Sequence, residues 1–138
     1  SETQRLKEWL RRCLNGGIEG SQIGILARTG DIARSIALPA LDDLQLPYSA
    51  SWEKDHPEEF EIWVGTVHSA KGLEFRAVGI VGASDDNFPL QKLLTNVTDP
   101  GERLEVLDQE RQLLHTALTR PRERLFISWS GRRSRFIS

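Results

Sequence analysis

The chain is poor in cysteine, methionine and long apolar runs, and each shortage excludes a class of protein. Cys13 is the only cysteine among 138 residues, so neither a disulfide framework nor a cysteine-based zinc site can form. This composition is typical of a reducing, cytoplasmic setting. No apolar stretch approaches the roughly 20 residues of a membrane-spanning helix, and the amino end does not resemble a signal peptide. We therefore expect a cytoplasmic protein without a membrane segment.

The chain also has no excess of basic over acidic residues. The chain has 18 basic and 20 acidic residues, a net charge of -2 and an isoelectric point near 5.9. Because no global positive field attracts nucleic acid, any contact with nucleic acid must come from a local cluster. Methionine is absent even at position 1. We expect residues 1–138 to be a single domain excised from a longer protein, since the length is that of one domain.

Short apolar runs alternate with amphipathic segments along the chain. Apolar spacing predicts helices at 3–14, from Asp31 to about Leu44, and at 102–120, with Asp31 as a cap and a break or bend near Pro39. Strands are predicted at 22–28, 46–50, 61–68, 76–82 and 125–129. Residues 53–61 read as an exposed acidic loop, and 85–101 as a loop with one helical turn. This alternation predicts an α/β fold with a mostly parallel sheet flanked by helices.

Residues 66–75, Thr-Val-His-Ser-Ala-Lys-Gly-Leu-Glu-Phe, take a predicted strand into a tight turn with several polar groups. Lys71 carries a positive charge, His68 offers a donor, and the backbone N–H groups around Gly72 can cradle a phosphate. Glu74 can accept hydrogen bonds from ribose hydroxyls. Spacing alone favours a simpler interpretation, in which an ordinary link between strands leaves Lys71 and Glu74 solvated.

Residues 109–120, Gln-Glu-Arg-Gln-Leu-Leu-His-Thr-Ala-Leu-Thr-Arg, form the end of an amphipathic helix that Pro121 stops. Arg120 can extend from this helix end toward a transferring phosphoryl group, where an arginine finger contributes roughly 10³–10⁵ in rate. Position alone favours another explanation, because a cation at a helix C-terminus is already stabilised by the helix dipole.

Together these two blocks resemble the fifth and sixth motifs of the UvrD/Rep-like superfamily 1 DNA helicases. Residues 23–28 with the following Thr-Gly-Asp more weakly resemble the fourth motif, and the similarity extends from about Ile23 to the end of the chain. The chain departs from the family at His115, usually an aromatic residue, at Pro121, commonly a small one, and at Gly30, often asparagine. The resemblance implies a RecA-like fold. Few residues separate Asp55 from Glu61, so the large subdomain inserted there in relatives is expected to be absent.

The resemblance also assigns roles to individual residues. It implies a catalytic arginine finger at Arg120 and contacts to ATP from Gly72, Glu74 and Arg120. It implies contacts to single-stranded DNA from a second set, namely Arg28, Thr29, His68, Ser69 and Lys71.

Other candidate residues are expected to serve the structure. Glu110 and Arg111 are interpreted as partners in a surface or interdomain ion pair, and His115 as a helix-packing residue. Trp52 and Trp63 are interpreted as buried indoles rather than platforms for bases. No metal site is predicted, because the acidic residues 53–59 fit a solvated loop.

The sequence contains no Gly-x-x-x-x-Gly-Lys-Ser/Thr loop and no acidic pair after a strand that could hold Mg²⁺. The resemblance therefore implies the second, C-terminal RecA-like motor domain of an ATP-dependent DNA helicase or translocase, inactive and monomeric alone. ATP with Mg²⁺ would be bound mainly by the N-terminal RecA-like domain of the same protein, and single-stranded DNA would be the other partner. One alternative stays open, a motor-dead helicase-like binding module in a DNA repair or nuclease complex.

Overall fold

The computed structural model describes residues 1–53, 58 and 60–138; the predicted acidic loop therefore lies largely outside the described residues. A five-stranded sheet forms the centre of the fold, with neighbours in the order β2-β3-β1-β4-β5. The strands are β1 (Ile23–Ala27), β2 (Tyr48–Ala50), β3 (Ile62–Thr66), β4 (Phe75–Ile80) and β5 (Pro121–Ile127). All four pairings between them are parallel, which confirms the predicted α/β architecture.

Helices cover both faces of the sheet. α1 (Glu2–Asn15) and α2 (Gly30–Asp43) pack on one face, where Leu6 and Leu10 meet Ile25 in a fully buried apolar cluster. α3 (Pro100–Leu118) lies on the other face with Leu114 and a second cluster. Because both faces are covered, β1 is apolar throughout and β4 is apolar except for Arg76, as in other buried parallel sheets. Short 3₁₀ turns occur at Gly20–Gln22 and Gln91–Leu93.

The start and the interior of α2 differ from the prediction. Thr29, rather than Asp31, is the N-cap, and its hydroxyl accepts a hydrogen bond from the Ile32 N–H at 3.3 Å. α2 also continues through Pro39 to Asp43 instead of breaking. Four residues of one face are buried against the sheet, and this packing outweighs the local cost of the proline: Ala33, Ala37, Ala40 and Leu41.

The connection between α3 and β5 is shorter than predicted from the sequence. α3 ends at Leu118 and β5 already begins at Pro121, where the predicted strand began only at 125. Residues 121–124 were missed because they are largely polar and form part of an exposed edge strand, which lacks the apolar run of a central strand. α3 itself begins at Pro100, after an Asp99 cap whose carboxylate accepts from the Glu102 N–H.

The connection between β2 and β3 is short. β2 and β3 are neighbours in the sheet and only residues 51–61 separate them, so no large subdomain is inserted there. Among the described residues, no helix has the length and apolar character needed to cross a bilayer.

Candidate functional site

A cavity of about 500 Å³ opens between α3 and the segment that follows β3. Four of the predicted site residues line it, and they come from three separate parts of the sequence: Arg28, His68, Lys71 and Arg120. Glu110 is the acidic residue in its wall, and Leu93 and Leu113 supply apolar surface. The cavity is therefore positively charged overall and suits an anionic ligand such as a phosphate.

The segment after β3 holds its shape through a compact set of hydrogen bonds. Ser69 Oγ donates to the Thr66 carbonyl at 2.8 Å and accepts from the Thr66 N–H at 3.0 Å. The Thr66 hydroxyl in turn accepts from the Ser69 N–H at 3.1 Å. A Cβ on Gly65 would stand 2.6 Å from Ser69 Oγ, so glycine is required beside this turn. Ser69, which the sequence predicts to contact DNA, thus stabilises this turn through its hydroxyl group.

His68 and Lys71 belong to this segment and line the cavity. Both side chains are exposed, and neither makes an ion pair or hydrogen bond with the described part of the chain. Gly72 follows with φ +84°, a left-handed conformation that a side chain would strain, and the space around it is open. The predicted donor and cation are therefore available to a ligand.

Glu74 and Arg120 lie at the amino end of two neighbouring strands. Glu74 is exposed, lies just before β4 and has no partner among the described residues. Arg120 is half-buried just before β5, and its Nε donates to the Thr116 carbonyl at 3.2 Å. That bond ties the guanidinium to the last turn of α3, while its two Nη groups have no bond to the described residues. Glu74 and Gly72 do not line the cavity.

Arg28 has a different environment from the other cations. It is 9% exposed, and its Nε and Nη2 donate to the two carboxylate oxygens of Glu110 at 2.9 and 3.0 Å. Glu110 Oε1 also accepts from the Leu90 N–H at 2.9 Å. The predicted surface or interdomain pairing of Glu110 is therefore wrong, because this carboxylate is buried and pairs within the domain. Arg111 does form a surface pair, with Asp108 at 3.0 Å.

Several other predicted residues can be located. The Thr29 hydroxyl accepts the capping hydrogen bond of α2 described above, so this oxygen is already engaged within the domain. His115 is exposed, so its predicted packing role is wrong. Trp63 is 1% exposed within the second cluster, and its Nε1 has no partner among the described residues. Trp52 is half-buried, with the Arg34 guanidinium 4.3 Å from its ring centroid.

The sequence pattern predicts a structural role for Glu110, but the prediction missed the burial of its carboxylate and its partner Arg28. A signal for the burial was present, because Glu110, Leu114 and Ala117 follow helical i, i+4, i+7 spacing and all three are buried. An acidic residue on the apolar stripe of a helix requires a buried partner. Leu90 could not have been found this way, since its role depends on a backbone N–H.

The chain is similar to known helicase domains in both sequence and fold. Residues 40–132 match the model of the UvrD-like helicase C-terminal domain, which is more than half of the chain. The chain belongs to the UvrD-like helicase C-terminal domain family. The match includes the β3–β4 segment and the whole of α3, and therefore most of the residues that line the cavity.

Relatives of this UvrD-like domain are much longer proteins. The ATP-dependent DNA helicase UvrD2 of Mycobacterium tuberculosis is 36% identical over 83 residues, which is 59% of this chain and 11% of the relative. The putative ATP-dependent DNA helicase YjcD of Bacillus subtilis is 33% identical over 92 residues, 62% of this chain and 12% of the relative. The matched part of the UvrD-like domain thus spans about a ninth of each of these two relatives.

A solved structure has the same fold. The C-terminal domain of a possible DNA helicase from Lactobacillus plantarum WCFS1 superimposes with a TM-score of 0.70 and 18% identity. The superposition covers 99% of this chain and 71% of that structure. Together with the parallel sheet and its flanking helices, this similarity confirms the RecA-like α/β fold of a helicase C-terminal domain.

Proposed function

We propose that this UvrD-like domain is the second motor domain of an ATP-dependent DNA helicase or translocase. The observation that carries the proposal is the convergence of His68, Lys71 and Arg120 on one positively charged cavity. Membership of the UvrD-like family supports it, since relatives of the chain are named ATP-dependent DNA helicases. The chain has no Walker A sequence. An N-terminal RecA-like domain would therefore have to bind the phosphates of ATP and Mg²⁺.

In this proposal the ATP contacts come from the amino-end edge of the sheet. Arg120 is anchored through Nε to α3 and presents its two Nη groups to the γ-phosphate, where charge develops during phosphoryl transfer. Glu74 accepts hydrogen bonds from the ribose hydroxyls, and Gly72 allows the nucleotide to approach the backbone closely. The isolated chain is expected to hydrolyse no ATP, because it lacks the groups that hold the triphosphate.

The DNA contacts come from the segment after β3 and from the end of β1. His68 donates to the strand, Lys71 neutralises a phosphate, and Ser69 contributes mainly by holding the turn that presents both. Arg28 has only Nη1 without a bond among the described residues, so any contact from Arg28 is made through that group. Thr29, at the end of β1, is the weakest member of the set because its hydroxyl caps α2.

A polypeptide that joins this chain to a Walker A motor domain of a close relative tests the proposal. Its ATP-dependent displacement of streptavidin from the end of biotinylated single-stranded DNA would be measured, with the 138-residue chain alone as the control. We expect displacement that requires ATP and is absent from the isolated chain. If the joined protein binds single-stranded DNA but neither hydrolyses ATP nor displaces streptavidin, the motor assignment fails and the binding-module alternative is favoured.

A further inference from the structure

Glu110 joins three walls of the cavity through one buried carboxylate. Its oxygens accept two hydrogen bonds from Arg28, at the end of β1, and one from the Leu90 N–H, at 2.9 Å. Glu110 itself belongs to α3 and is 4% exposed. Arg28, Glu110 and Leu93 all line the cavity, and Leu93 follows Leu90 in a single 3₁₀ turn. The carboxylate therefore connects the end of a strand, a helix and the turn at 90–93, which forms part of the cavity rim through Leu93.

This arrangement restricts Arg28 in a specific way. Both nitrogens of one guanidinium edge, Nε and Nη2, are occupied by Glu110, which fixes the plane of the group. Nη1 remains without a bond among the described residues, in a side chain that lines the cavity. The Arg28 guanidinium thus keeps one donor group, Nη1, for a ligand. The buried carboxylate of Glu110 prevents it from rotating.

We infer that Glu110 is a positioning residue that aims Arg28 at an anionic ligand in the cavity and couples this ligand to the rim at 90–93. An anion at Nη1 draws the guanidinium toward itself and alters the two bonds to Glu110. Because Glu110 Oε1 is shared between Arg28 and the Leu90 N–H, the change reaches the rim. The inference rests on the proposed function for the identity of the anion, a phosphate of ATP or of single-stranded DNA.

An NMR titration of the 138-residue chain tests the coupling directly. The Arg28 Nε–Hε and Leu90 amide resonances would be followed while inorganic tripolyphosphate is added in one series and (dT)12 in another. We expect both resonances to move with the same midpoint in at least one series, and that series identifies the source of the phosphate. If Arg28 responds while Leu90 does not, or if neither responds in either series, the inference is wrong.

Glu110→Gln provides the decisive variant, because its amide has one acceptor oxygen and a donating NH2 group, so the two-oxygen pairing with Nε and Nη2 of Arg28 is lost. We expect its titration midpoint to rise at least fivefold and the Leu90 response to vanish. The matched control is Glu123→Gln, since Glu123 holds Arg76 through the same two-bond geometry, at 3.0 and 2.9 Å, away from the cavity. Glu123→Gln should titrate as the unaltered chain does. Equal midpoints for the chain with and without Glu110→Gln would overturn the positioning role.

A second variant covers the case in which Glu110→Gln does not fold. Arg28→Met combined with Glu110→Met replaces the buried pair by apolar side chains, which cores often tolerate. We expect this double variant to bind the phosphate ligand with a higher titration midpoint than the unaltered chain. Its Leu90 amide proton should also exchange faster with solvent. Binding as tight as in the unaltered chain would contradict the inference. Neither titration depends on ATP turnover, so the inference can fail while the motor proposal stands, and the reverse also holds.

Discussion

Phe75 of β4 and Pro121 of β5 are Cα partners on neighbouring parallel strands. Glu74 and Arg120 each directly precede one member of this pair, so both lie at the same edge of the sheet. Neighbouring strands are about 4.8 Å apart, which brings together two residues that are distant in sequence. In the proposed function a single nucleotide would meet both groups, Glu74 at its sugar and Arg120 at its phosphates. This adjacency is the geometric requirement of the proposed ATP contacts.

Replacement of Glu74 by alanine should weaken the use of ATP by the joined two-domain protein. The exposed side chain makes no hydrogen bond or ion pair with the described residues, so the fold should be unaffected. Loss of a hydrogen bond to a charged acceptor corresponds to roughly a tenfold rise in KM for ATP. The control is 2′,3′-dideoxy-ATP, which lacks the hydroxyls that Glu74 would contact. A KM difference that persists with the dideoxy nucleotide would disprove the ribose contact.

Replacement of His68 by alanine should weaken the binding of single-stranded DNA. His68 is exposed and borders the cavity without a partner in the described part of the chain, so its imidazole is free to donate. We expect the Kd of the two-domain protein for (dT)12 to rise roughly fivefold, the effect of one lost hydrogen bond. Fluorescence anisotropy at constant salt measures it. His115→Ala is the control, since His115 is exposed on α3 and does not line the cavity; an equal effect of both changes would exclude a specific contact from His68.

The Arg28–Glu110 pair should respond to substitution as a buried ion pair does. Glu110→Ala leaves the Arg28 guanidinium buried without its counter-charge, and we expect a loss of about 3–5 kcal/mol in the free energy of unfolding. The more exposed pair of Arg76 and Glu123 should lose only about 0–1 kcal/mol on Glu123→Ala. Urea denaturation of the isolated chain measures both. Similar losses for the two variants would show that the burial of Glu110 has no energetic consequence.

The pairing of Asp85 with Arg135 should make stability depend on pH at the acidic end. Arg135 donates to both carboxylate oxygens, at 2.9 and 2.8 Å, and its hydrogen bonds lower the pKa of Asp85 in the folded chain. A lowered folded pKa means that the stabilisation is complete above the ordinary carboxyl pKa of about 3.9 and is lost as the pH falls below it.

Asp85→Asn tests this dependence. At pH 7 the variant should be less stable by about 0.5–1.5 kcal/mol, because one partner is partly exposed and the pair is screened by solvent. The difference from the unaltered chain should shrink as the pH is lowered below 4. Thermal unfolding over a pH series measures it, with Asp86→Asn, an exposed neighbour, as the control. A difference that stays constant down to pH 3 would rule out the charged pair as its cause.

The sequence was sufficient to predict the elements whose apolar pattern is strong. β1 and β4 are buried along almost their whole length, and their apolar runs identified them, as the stripe of Leu6, Trp9 and Leu10 identified α1. The start of β5 could not be found in the same way. Its first residues obtain their strand conformation from the pairing with β4 and not from apolar burial. Tertiary pairing of this kind leaves no periodic signal.

Part of the cavity lining could be predicted from the sequence, but the bonds inside the cavity could not. The resemblance to helicase motifs selected His68, Lys71 and Arg120, and the structure brings these three together in one cavity. The bonds of Arg28 to Glu110 depend on two residues that are distant in sequence and on the path of the backbone at Leu90. Nothing in the spacing of either residue specifies that geometry. The division into ATP and DNA contacts likewise does not correspond to two separate cavities, because Arg28, His68, Lys71 and Arg120 line the same one.

The most direct test of the motor assignment is a single-turnover measurement of ATP hydrolysis by the two-domain protein with Arg120→Ala. We expect the rate constant of hydrolysis to fall by roughly 10³ or more while the Kd for ATP changes only a few-fold, because the guanidinium acts mainly on the transition state. Arg122→Ala, two residues further on the exposed part of β5, should hydrolyse ATP at the unaltered rate. A rate constant for Arg120→Ala within tenfold of that of the unaltered protein would contradict the proposed arginine finger.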